Sequence, residues 1–103
     1  MIKVSVLYPC HEGSKFDMDY YLKRHVPLVR SRLGNAIKNF AVEQGISAVE
    51  PGSPPAYSAM GHLYFETVEA FQAAFAQHGA ELVADIPNYT NVQPVIQISE
   101  VKI

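Results

Sequence analysis

The chain has 103 residues, 49% of them hydrophobic and 17% charged, with a formal net charge of −2. That length fits one domain, 1–103, and not two. Eight basic residues set against ten acidic ones, with no Arg/Lys stripe between stacking aromatics, argue against a nucleic-acid partner, and the apolar stretches are too short to cross a bilayer.

Residues 2–9 alternate, with Ile2, Val4, Val6 and Tyr8 on one side and Lys3, Ser5 and Leu7 on the other. This predicts a strand ended by Pro9. Because Met1–Val4 runs directly into the strand pattern, no signal peptide is expected. A lone Cys10 cannot pair within the chain, which suits a reducing compartment, so the expected location is cytoplasmic. Asp17 is placed to cap a helix, with Phe16 and Tyr21 at staple positions. The helix should run to about Leu33 and stop at Gly34. Met18, Tyr21, Leu22, His25, Leu28 and Val29 share its apolar face. Pro27 lies inside and should break or kink the helix near Arg24–Val26.

A second strand is expected over 36–46, then a loop over 47–56 that contains Pro51, Gly52, Pro54 and Pro55. A third strand covers 57–66. Tyr57, Ala59, Gly61, Leu63 and Phe65 face one way, and Met60, His62 and Tyr64 the other. Thr67 can cap a second helix that Gly79 would stop. A helical turn and loop over 80–90 then lead to a fourth strand over 93–102. The order β-α-β-β-α-β is the ferredoxin-like α+β pattern, an antiparallel four-stranded sheet with two helices on one face. The uncovered face holds apolar residues too, and the charge content is low for so short a chain. Pairing with a second copy would cover that face, so a homodimer is expected.

Four histidines and one aspartate are the candidates for chemistry. His25 sits at the centre of the first helix's apolar face, as either a core histidine or a catalytic one. His62, mid-strand, shares a cavity with His25 if its face looks toward the helices, and is an interface residue if it does not. Asp85 would cap a turn before Pro87, or reach a pocket and orient a histidine. His11 lies in a loop, and the helix dipole accounts for His78. Cys10 lacks a nucleophile signature. No ligand spacing for a metal and no glycine-rich phosphate loop is present, so neither metal nor cofactor is expected.

Phe16-Asp17, Tyr20-Tyr21 and His25-Val26-Pro27-Leu28-Val29 together resemble the helix motif of the EthD family, an aromatic-rich start leading to His-x-Pro-Leu. Leu63–Phe71 resembles that family's strand-to-helix turn, and Ala84–Asn91 the segment before its last strand. The family takes its name from ethyl tert-butyl ether degradation. Its members are small dimeric α+β-barrel proteins encoded with oxidative degradation systems. Related barrels include monooxygenases of aromatic polyketides, muconolactone isomerase, polyketide cyclases, and decarboxylases or dehydratases. The resemblance implies a dimeric α+β barrel with a cleft between helices and sheet for a small hydrophobic or aromatic molecule. His25 transfers from the family motif; His62 and Cys10 do not. The expectation is a cofactor-independent oxidoreductase of monooxygenase type, with His25 and His62 as catalytic residues and Tyr21, Tyr64 and Asp85 contacting the substrate. The alternatives are a non-catalytic accessory protein of an oxidative pathway, a polyketide cyclase or dehydratase-type lyase, and a haem-binding relative with His25 as axial ligand.

Overall fold

Alternation at the N-terminus becomes strand β1, Ile2–Pro9, at the interior of a four-stranded sheet. The computed structural model describes residues 1–103. The sheet is completed by β2, Asn39–Gln44, by β3, Tyr57–Phe65, and by β4, Val95–Glu100, in the order β2-β3-β1-β4 with every pair antiparallel. This is the expected split-βαβ arrangement. Val4 stands opposite Leu63 and Ile98, so these three share one face, while Ser5 stands opposite His62 and Gln97 on the other.

Helix α1 covers 18–33 in three parts: Met18–Tyr20, a π-helical stretch Tyr21–His25, and Val26–Leu33. Asp17 caps it by accepting a bond from the Tyr20 amide at 3.0 Å. The Phe16 and Tyr21 rings meet at 5.1 Å, as the staple positions require. Pro27 has no N–H to give and its ring crowds the preceding turn. The π-helical stretch falls directly before it, and there the Val26 amide reaches back to the Tyr21 carbonyl. Gly34, at φ +55°, ends the helix.

Helix α2, Val68–Asp85, starts at Thr67, whose hydroxyl accepts from the Ala70 amide at 3.1 Å. It does not stop at Gly79 as its sequence suggests. Gly79 has no positive φ and is buried inside the helix, and a β-carbon there would meet the Phe75 ring at 2.6 Å. Gly79 leaves space for that ring, at a helix-propensity cost of about 1 kcal/mol. The former stop is thus a packing position, and the helix continues to deliver Asp85.

Both helices lie on the face of Val4 and Leu63. Ile2, Val4, Val29, Leu33, Leu63, Phe65 and Leu82 form one buried cluster. Each such side chain removed from water contributes about 1.5–3 kcal/mol. Tyr8, Tyr21, Val26, Ala59 and Tyr89 form a second. Strand β4 is poorly covered: Ile96 and Ile98, on the helix face, remain 52% and 41% exposed. The opposite face is more mixed than β3 alone suggests, since Lys3, Ser5, Glu43 and Gln97 lie among Leu7, Met60, Tyr64 and Val95.

Candidate functional site

The second cluster is built where three local devices meet. The π-helical stretch ends at His25 and turns both Tyr21 and His25 inward, with their rings stacked at 5.4 Å and 21°. The longer α2 ends in Asp85, and a 3-10 turn, Ile86–Asn88, follows. Residues 13–17 then clamp the chain around Tyr89. The Asp17 amide donates to the Tyr89 carbonyl at 2.7 Å, the Lys15 amide to Asn91 Oδ1 at 2.8 Å, and the Thr90 hydroxyl to the Lys15 carbonyl at 2.6 Å.

Within this frame the His25 ring is 6% exposed and fully partnered. Its Nδ1 lies 2.9 Å from Asp85 Oδ2, and its Nε2 lies 3.4 Å from the Tyr89 hydroxyl. Tyr89 Oη is 2.7 Å from Tyr8 Oη. Asp85 Oδ1 accepts from the Tyr20 hydroxyl at 2.7 Å and from Asn88 Nδ2 at 2.9 Å. Three donors therefore fix one carboxylate, which in turn fixes the imidazole. A carboxylate only accepts, so Nδ1 carries the ring's proton and the neutral ring presents Nε2 as a base.

Ionisation follows from the same packing. Burial lowers the His25 pKa, and the bond and charge of Asp85 oppose this only in part. Burial also pushes the Asp85 carboxyl up, but the bonds from Asn88, Tyr20 and His25 outweigh it and hold the group below its usual range. Burial raises Tyr8, Tyr21 and Tyr89, so all three phenols stay protonated near neutrality. The constellation is a neutral imidazole, an oriented carboxylate and a set of neutral phenols.

Beside it, between α1, α2 and the sheet, is a cavity of about 220 Å³. His25, Tyr8 and Tyr21 stand in its wall, and the rest of the lining is aliphatic or phenylalanine. The half-exposed Val83 and Ile96 mark its mouth, where β4 escapes the helices. Gly61 gives the Tyr21 side chain its room, because a β-carbon there would meet Tyr21 Oη at 2.6 Å.

His25, Tyr21 and Asp85 are thus brought together. His62 and Tyr64 are not: the register places them on the sheet face turned away from the helices, so neither reaches the cavity. Alternation alone could not assign that face. There His62 Nδ1 lies 3.0 Å from Ser5 Oγ and its Nε2 lies 3.3 Å from Glu43. Tyr8, Tyr20 and Tyr89 escaped the sequence reading as site residues. The signals were present in Ala59 and Gly61, small residues in mid-strand that leave room for rings. No group of three or more His, Cys, Asp or Glu side chains is placed to hold a metal ion.

Comparison with known proteins agrees with this architecture. Residues 14–93 match the EthD domain. An uncharacterized 11.0 kDa protein from the thcB–thcC intergenic region of Rhodococcus erythropolis is 34% identical over 94 residues, covering 88% of this chain and 85% of that protein. The crystal structure of an EthD-like protein from Ralstonia eutropha JMP134 is similar at 48% identity and TM-score 0.94, over 99% of this chain and 92% of that one. An ethyl tert-butyl ether degradation (EthD) family protein from Bacillus halodurans C-125 shares the fold at TM-score 0.75 and 22% identity, covering 98% of each chain.

Proposed function

The chain belongs to the EthD domain family, and from that premise we propose that it binds a small neutral hydrophobic or aromatic molecule in the cavity, where His25 acts as the base for a proton transfer. One observation carries this reading: an apolar cavity of about 220 Å³ has in its wall a buried imidazole tethered from behind by Asp85. An apolar cavity of about 150 Å³ accepts benzene, so the space suits one substituted ring. No Lys or Arg lines it, so a carboxylate or phosphate group would enter without a counter-charge. The lowered His25 pKa keeps Nε2 free to accept a proton near neutrality. Proton transfer is a step common to oxygenation of an activated aromatic, cyclisation and dehydration, and the oxidoreductase of monooxygenase type is the form we favour. A non-catalytic carrier is the second reading, favoured by the otherwise apolar wall.

Thermal melts with single-ring aromatics test the binding. A ligand at a hundred times its Kd stabilises the fold by about 2.7 kcal/mol. His25→Ala should abolish turnover, or reduce it about a hundredfold or more, while the apolar part of the binding persists. A panel that shifts no melting temperature overturns the reading, binding without any turnover leaves the carrier, and turnover unaffected by His25→Ala shows that His25 is not the base.

We also propose a homodimer formed through the open sheet face. Leu7, Met60, Tyr64 and Val95 lie on that face with no helix over them. Sedimentation at micromolar concentration should show a dimer, and monomer alone contradicts it.

A further inference from the structure

The hydrogen bonds around His25 have a direction, and that direction selects a ligand. Nδ1 must donate to the Asp85 carboxylate at 2.9 Å, so Nε2 is an acceptor. Its neighbour at 3.4 Å is the Tyr89 hydroxyl, which has a single proton. If Tyr89 gave that proton to Tyr8 instead, a buried Nε2 would be left without a donor, at a cost of about 1–3 kcal/mol. Tyr89 therefore donates to Nε2. The 2.7 Å bond between the two phenols is then made by the proton of Tyr8. The side chain of Tyr21 adjoins Tyr8 and lines the cavity with it, whereas Tyr89 does not. The protons of Tyr89 and Tyr8 are thus committed inward, toward Nε2, so Tyr8 offers the cavity a lone pair rather than a proton.

We infer that the cavity's ligand is a weak hydroxylic acid, a phenol or an enol, which donates its O–H to the Tyr8 hydroxyl beside Tyr21, and that Tyr89 relays the proton to His25. This rests on the proposal that the cavity holds a small apolar molecule. The step balances. The ligand O–H bond breaks and its proton passes to Tyr8; the Tyr8 proton passes to Tyr89, and the Tyr89 proton to Nε2. An oxyanion remains in the cavity with its electron pair, and Tyr8, now turned outward, donates to it. The imidazolium formed faces Asp85, which is already ionised and held by Tyr20 and Asn88. A charge pair separated by two phenols thus replaces a neutral pair, with no oxidant and no cofactor. Tyr89 passes the proton on without touching the ligand, and Tyr8 is the group that touches the ligand.

Two probes of nearly the same shape test this: 4-nitrophenol, which has the O–H, and 4-nitroanisole, which has a methyl ether in its place. Titrations are made at a pH where free 4-nitrophenol is neutral, so that bound phenolate is read from its absorption. Wild-type protein should prefer the phenol about tenfold, the equivalent of one good hydrogen bond, and should shift its absorption toward phenolate. Tyr8→Phe should bind both probes alike. Tyr89→Phe should lose the phenolate absorption, and the pKa of His25, followed by NMR, should rise because the donor to its neutral form is gone. Each variant keeps its ring, and if one fails to fold the other still carries the test. Equal binding of the two probes by wild-type protein, or variants with unchanged preference, absorption and His25 titration, would overturn the inference while the apolar site stands. Failure of both probes to bind would overturn the site and the inference together.

Discussion

Along the layer between helices and sheet, two halves of the core differ in kind. Around Phe65 the packing is Ile2, Val4, Val29, Leu33, Leu63 and Leu82, with Phe71 edge-on to Phe65 at 5.2 Å. Around Tyr89 the packing is aromatic rings whose polar tips bond to one another and to His25 and Asp85. The first half is specified by volume and tolerates swaps that conserve it. The second is specified by partners: each buried polar side-chain atom has one, and removing any leaves another unsatisfied. An aliphatic set of the same volume would stabilise this end as well or better. A polar network at this end, beside a cavity, is what chemistry requires and stability does not.

The largest effect should come from the aliphatic half. Phe65 is completely buried, and Phe65→Ala should cost about 3–5 kcal/mol, read as a fall in the denaturant midpoint. Tyr8→Phe, which removes only an oxygen from the other half, should cost about 1 kcal/mol. If the two variants proved equally unstable, the contrast between the halves would be lost.

Next comes Asp85→Asn. It removes the charge that opposes the effect of burial on His25, so the pKa of His25 should fall further. Tyr20 and Asn88 lose their charged acceptor, with a stability loss of about 1–3 kcal/mol. A rise in the His25 pKa on this substitution would show that the carboxylate is not its partner.

A smaller effect is expected from pH. Folding lowers the pKa of His25 below its ordinary value of 6.5, so between those two values the unfolded chain binds more protons than the native one. The contribution of His25 is full above about pH 6.5 and is lost as pH falls through the folded value. Asp85, held below its ordinary 3.8, acts in the same sense in a more acid range. The melting temperature should therefore decline on acidification from pH 7, and His25→Ala should remove the upper part of that decline.

The smallest effect on the site should follow His62→Ala. His62 faces away from the cavity, so binding of 4-nitrophenol should be unchanged, and a loss of binding would mean that the two sheet faces communicate.

How much of this the sequence contained depends on the kind of signal. Period-two alternation located β1 to its last residue, and Asp17, Gly34 and Thr67 marked helix ends through capping chemistry that is local to the chain. Gly79 misled because a glycine that ends a helix and one that makes space for Phe75 look alike in a sequence. His25 and Tyr21 were legible from a helical face, and Asp85 only as one of two roles, a turn cap before Pro87 or a group that orients a histidine. His62 was not, since alternation separates two faces without naming them. Tyr89 is brought to His25 by a clamp between residues 13–17 and 89–91, a long-range pairing that no local pattern encodes.

The central claim is that His25 is a neutral base, oriented by Asp85, in the wall of an apolar cavity. Nitrogen-15 NMR of the histidine rings across a pH titration tests it most directly. The account predicts that at pH 7 His25 carries its proton on Nδ1, that Nε2 is bare, and that the ring titrates below 6.5. A proton on Nε2 at neutral pH, or a His25 that titrates at or above that value, would contradict it.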